Sequence, residues 1–175
     1  MIAQAVRIHT AWLKNVTHGV NAQLARLVTE SLLDGDPVPP DVVFIGDQFD
    51  DRVVSKWADP PSKPALYVSE DLPESFAQVD QRPGQTRGIV PVGIRYFTAH
   101  QDPDRAMRDT SHTLRAIWRS LNVLFANAQQ AARARAGIYV EGYETIHMGE
   151  LIETVGNSQV TGGVVVRCRV VDTKP

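Results

Sequence analysis

Residues 88–98, GIVPVGIRYFT, carry the two-residue alternation of a β-strand. Val90, Val92, Ile94 and Tyr96 fall on one side. Ile89, Gly93, Arg95 and Phe97 fall on the other. Pro91 has no N–H for a ladder hydrogen bond, which predicts an edge strand or a bulge at that point. Just beyond the strand, Asp102-Pro103 has the chemistry of a helix start. Asp102 supplies a capping carboxylate, Pro103 loses nothing at the first helical position, and Asp104 complements the positive end of the dipole. The apolar stripe Ala106, Thr110, Thr113, Leu114, Ile117, Trp118, Leu121, Leu124, Phe125 and Ala128 recurs at three- and four-residue steps, predicting one long helix over 103–136 that stops before Gly137.

Strands are expected again within 138–172. Residues 138–146 (IYVEGYETI) and 150–155 are candidates, and residues 161–172 (TGGVVVRCRVVD) alternate as 88–98 do. Val164, Val166, Cys168 and Val170 face one way, and Val165, Arg167, Arg169 and Val171 the other. Towards the N-terminus, residues 2–33 read as helical. Ile2, Ala5, Val6, His9, Trp12 and Leu13 share one spacing, and Val20, Leu24, Leu27, Val28 and Leu32 another, with Gly19 a possible break between them. Asp34-Gly35 and then Pro37, Pro39 and Pro40 end the helix near Leu33. Short strands are expected within 42–69, at 42–45, 52–57 and 64–69. Residues 70–87 hold Pro73, Pro83 and Gly84 and read as an extended loop leaving the fold. The sum is an α+β domain over 1–175: a mixed, largely antiparallel sheet, one long helix packed across it and an N-terminal helical segment.

Composition bounds the chemistry. The chain has 175 residues, enough for a sizeable core, with ordinary hydrophobic (43%) and charged (22%) content. A formal net charge of -2 argues against a dedicated nucleic-acid binder, which would be basic. Cys168 is the single cysteine, so an internal disulfide is impossible, which suits a reducing compartment. The first residues have no apolar core of a signal peptide, and no run approaches the roughly 18 apolar residues of a membrane span.

No recognisable catalytic motif stands on this frame. His9, His18, His100, His112 and His147 lack metal-ligand spacing. Cys168 lies among valines, a setting that suppresses the thiolate. Gly162-Gly163 leads into a strand, whereas a phosphate cradle leads into a helix. Asp47, Asp50 and Asp51 are close enough to share a hard cation but match no calcium loop, and a solvated turn explains them more cheaply. Arg105, Arg108, Arg115 and Arg119 could touch phosphate, yet Asp104 and Asp109 interleave with them. The chain is therefore expected to be no enzyme, with no metal and no cofactor.

The layout resembles the tail terminator (tail completion, minor tail) proteins of long-tailed bacteriophages. The resemblance rests on the opening helical segment with residues 20–32, the strand GIVPVGIRYF, the Asp-Pro helix start and the closing strand TGGVVVRCRVVDT. It implies a structural virion protein, made in the host cytoplasm and placed at the head-proximal end of the tail. Such proteins form a homohexameric ring on the tail tube, stop its polymerisation and present a surface to the head. The implied partners are further copies of the chain, the tail tube protein and a head-completion or neck protein, with DNA only passing through and no membrane. A near-neutral or acidic channel would let DNA pass without sticking. The acidic segments Asp47, Asp50, Asp51 and Glu70, Asp71, Glu74, Asp80 are thus candidates for the lumen or the tube contact, and Arg167 and Arg169 on the closing strand for the contact between subunits. Alternative readings are a neck connector of the same virion, a small α+β ligand-binding domain or enzyme using Trp12, Trp57, Trp118 and Tyr143, and a nucleic-acid accessory protein using the arginine-bearing helix.

Overall fold

The computed structural model describes residues 2–33, 35, 37–44, 64–70, 78–82, 85–98, 102–131, 138–148, 153–154 and 160–172. Helices α1 (Ile2–Leu13) and α2 (Val20–Thr29) come first. Strands β1 (Asp41–Phe44), β2 (Ala65–Glu70), β3 (Gln78–Arg82) and β4 (Gln85–Phe97) follow. Helix α3 (Pro103–Ala131) precedes β5 (Ile138–Met148), β6 (Glu153–Thr154) and β7 (Val160–Asp172).

The first helical segment breaks where the sequence placed its glycine. The Asn15 side-chain oxygen accepts the N–H groups of Thr17 (2.9 Å) and His18 (3.0 Å), an Asx turn that competes with helix continuation. A Cβ on Gly19 would sit 2.4 Å from the carbonyl oxygens of both Leu13 and Asn15, so only glycine fits this turn. The second helix ends earlier than the proline cluster predicts. Ser31 takes a left-handed φ of 55°, Ser31 N–H bonds the Val28 carbonyl, and Leu32 N–H bonds the Leu27 carbonyl at 2.9 Å. This is a Schellman closure with serine in the position usually held by glycine. Val28 and Leu32, expected inside, are 38% and 42% exposed.

The sheet runs β1-β2-β4-β7-β5, with β3 also pairing β4 and β6 also pairing β7. Only β1–β2 is parallel, and the other pairings are antiparallel. The fold is therefore α+β with a mixed, mostly antiparallel sheet and a long helix across it. Two expectations need correcting. Residues 70–87 do not form one extended loop, because Gln78–Arg82 pair back onto the start of β4, where Arg82 faces Gln85 and Asp80 faces Arg87. Likewise β4 is neither an edge strand nor bulged at Pro91. It is interior, yet β3 pairs it only as far as Ile89 and β2 only from Val92. Pro91 occupies the gap between two half-length neighbours, where its missing N–H leaves no ladder bond unmade on that side. Residues 52–57, 99–101 and 132–137 lie outside the described residues.

Helix α3 starts as its sequence dictates: the Asp102 carboxylate accepts Asp104 N–H at 3.1 Å, and its carbonyl accepts Ala106 N–H at 2.9 Å. Its stripe of Ala106, Thr110, Thr113, Leu114, Ile117, Leu121 and Leu124 is buried. Trp118 is not part of it. At 46% exposed it lies with Ser111, Arg115 and Asn122 on the solvent side, one hundred degrees round the helix from Ile117. The helices meet one face of the sheet. The shared core takes Val90, Val92, Ile94 and Tyr96 from β4 and Val164, Val166, Cys168 and Val170 from β7, as the alternation predicts. Trp12 Nε1 donates to the Ser120 carbonyl (2.8 Å) and Ser120 Oγ to the His18 carbonyl (2.8 Å), fixing the α1–α2 corner to α3.

Candidate functional site

Three titratable side chains of this core, Cys168, His9 and Tyr96, are held in their neutral forms. Cys168 is fully buried, its thiol donates to the Val90 carbonyl at 3.2 Å, and burial pushes its pKa up to about 12. No thiolate forms at neutral pH. His9 is fully buried in α1 with Nδ1 2.7 Å from the Ala5 carbonyl. Desolvation holds it down at about 4, so the ring is neutral and Nδ1–H donates along the helix. Tyr96, also fully buried, is raised to about 12 by burial, with Thr113 and Asp109 near its hydroxyl. Among the described residues no group of three or more His, Cys, Asp or Glu side chains is placed to hold a metal ion. Among the same residues no helix is long and apolar enough to cross a membrane.

Charge gathers on the second face of the sheet, turned away from the helices. The odd-numbered residues of β4 and β7 lie there, and strand pairing sets them side by side. Arg167 faces Pro91, Arg169 faces Ile89, and Arg87 faces Val171. Arg167 and Arg169 are two residues apart on one strand, roughly 7 Å, and Arg87 is on the diagonal from Arg169. Arg95 lies on the same face towards the other end, opposite Gly163 and beside Tyr67 of β2. Apolar groups fill between them: Pro91, Phe97 and Val171 are buried, and Phe97 meets Tyr67 edge to face at 5.2 Å between ring centroids.

The arginines differ in how they are held. Arg87 Nη2 is 3.6 Å from Glu141 Oε1, both partly exposed, a contact of small energetic weight. Register also sets Asp80 opposite Arg87. Arg95 and Arg169 are exposed. Arg167 is half-buried, its Nε is shielded from solvent, and no hydrogen-bond acceptor among the described residues reaches it. The Nε of Arg87 is in the same condition. On the helix side the arginines are answered locally: Arg115 donates to the Leu32 carbonyl at 3.2 Å, and Arg119 lies 2.8 Å from Glu30.

Of the residues singled out from sequence, Arg167 and Arg169 are thus brought together. Glu70 closes β2 opposite Val92, and Asp80 sits mid-strand in β3. Asp47, Asp50, Asp51, Asp71 and Glu74 lie outside the described residues. Arg87 and Arg95 complete the charged face but were not joined to it by sequence. The alternation of 88–98 does set Arg95 on the odd side, whereas its nearness to β7 depends on a pairing 68 residues away. No protein-family model matches the chain, and no curated protein is detectably similar to it.

Proposed function

We propose that this protein is a virion assembly part: a tail terminator that forms a ring at the head-proximal end of a phage tail tube, stops tube growth and joins tail to head. The observation that carries this reading is the division of labour in the sheet. The cysteine and the buried histidine are sealed in the core, while the second face displays clustered arginines interleaved with apolar groups. Such a surface works by contact rather than by reaction, and a mixed apolar and charged composition suits an interface between subunits. Near-neutral net charge fits a part that DNA must pass without being retained.

Electron microscopy and sedimentation of the purified chain, alone and with a tail tube protein, test the reading. Rings, or tubes of defined length capped by the chain, are the expected outcome. A monomer in both preparations, with tubes that grow as long as in its absence, sinks it.

A further inference from the structure

We infer that one internal water molecule is built into this fold, seated under the first turns of α3 with the Tyr96 hydroxyl as its anchor. The inference is independent of the assembly reading above. Tyr96 is the last core-facing residue of β4 and is fully buried. Its Oη is shielded from solvent and has no hydrogen-bond partner among the described residues. Two groups of α3 lie close to that oxygen, the Thr113 hydroxyl and the Asp109 carboxylate. Both residues are buried, and their spacing along α3 sets them one turn apart on the same side of the helix. The Thr113 hydroxyl is near enough to act on Tyr96 but does not meet it in hydrogen-bond geometry. Thr98, just beyond the end of β4, is also buried, and its Oγ1 likewise has no partner among the described residues.

The chemistry of the place identifies the occupant. The rest of the core-facing row of β4, Val90, Val92 and Ile94, is apolar. In such a core an unmade hydroxyl costs roughly tenfold in the folding equilibrium. Buried polar groups that miss one another are commonly joined by internal water, which needs about two to four polar partners. Tyr96, Asp109 and Thr113 supply that number from two elements. Donors and acceptors balance: the Tyr96 hydroxyl donates to the water oxygen, and the water donates to the Asp109 carboxylate and to Thr113 Oγ1. An anion would be repelled by the carboxylate. A metal ion would need further ligands, and no group of three suitable side chains is present among the described residues. The water thus ties the end of β4 to α3 through polar contacts, beside a core otherwise held by apolar ones.

A high-resolution crystal structure of the whole chain tests this directly. The expected result is density for one water within hydrogen-bond reach of Tyr96 Oη and the Asp109 carboxylate. A Tyr96 hydroxyl bonded directly to a protein acceptor, with no water beside it, overturns the inference. Urea unfolding of Tyr96→Phe, Thr113→Val and the double variant gives the second reading. Loss of either hydroxyl should raise the unfolding constant about tenfold. The double variant should lose less than the two single losses combined, because both act through the same water. Tyr96→Phe as stable as the wild type, or more so, also overturns the inference, since deleting an unmade hydroxyl relieves a cost whereas deleting an anchored one incurs it. Should Tyr96→Phe fail to fold, the wild-type density and Thr113→Val decide.

Discussion

Arg167 and Cys168 are covalent neighbours in β7, yet they lie in different media. Cys168 is sealed under the helices against Val90, and every neighbour on its face is apolar. Arg167 faces the other way, over Pro91, with its guanidinium half in water. One face of the sheet is closed over by the helices and lined mainly by apolar side chains. On the other, the shielded Nε of Arg167 has no acceptor among the described residues. The difference teaches that two covalent neighbours on one strand can serve the core and the surface separately.

The contrast can be broken most directly by truncation on each side. Leu121→Ala, under α3 on the core face, should cost about 3–4 kcal/mol in urea unfolding. Arg169→Ala, exposed on the second face, should stay within about 0.5 kcal/mol. Equal losses would show that the second face also holds the subunit together.

Acid probes the core side next. The folded pKa of His9, about 4, lies below the ordinary 6.5, so the unfolded chain takes up the proton first as pH falls. The histidine's contribution is complete above about pH 6.5 and is lost towards pH 4, about 2–3 kcal/mol between pH 7 and 4.5. Denaturant midpoints of the wild type and His9→Gln over that range should converge at the acid end. Parallel curves would show that His9 is not the titrating group.

Smaller effects sharpen the contrast from the other side. Arg167→Met should raise the stability of the chain by about 1 kcal/mol, because it removes a shielded Nε that has no acceptor among the described residues and keeps the apolar stem. A loss of stability would mean that the guanidinium serves the fold. Ser31→Gly leaves both faces alone and relieves a left-handed serine, so a gain of about 0.5 kcal/mol with unchanged assembly is expected. A change in assembly would implicate the α2–α3 surface instead.

Much of the fold was legible because its signals are local. The alternation in 88–98 and in 164–171, the Asp102-Pro103 cap and the stripe of α3 each lie within one element. The hairpin of β3 was not legible. Gln78–Arg82 is polar and poor in β-branched residues, and the Pro83-Gly84 that reads as loop is only the two-residue link between paired strands. Trp118 misled for a related reason: an aromatic beside a stripe counts as apolar by spacing, while its exposure depends on what α2 leaves uncovered. The charged face was half legible. Sequence places Arg167 and Arg169 on one side of a strand, but only register brings Arg87 beside them, and only the folded chain shows that the Nε of Arg167 has no acceptor among the described residues.

The place of β7 in the sheet has a consequence for biosynthesis. Strand β7, which follows in the chain every strand it pairs with, sits between β4 and β5 and pairs β4 along nearly its whole length. Until residue 172 has left the ribosome, β4 lacks its main partner and the core lacks Val164, Val166, Cys168 and Val170. The β3–β4 hairpin can close early, but the sheet itself must be completed after translation of this region has finished. Each new subunit therefore passes through a stage in which the apolar side of β4 has no partner on that edge, and the second face of β7 does not yet exist. Any contact made through that face can begin only after β7 has been synthesised.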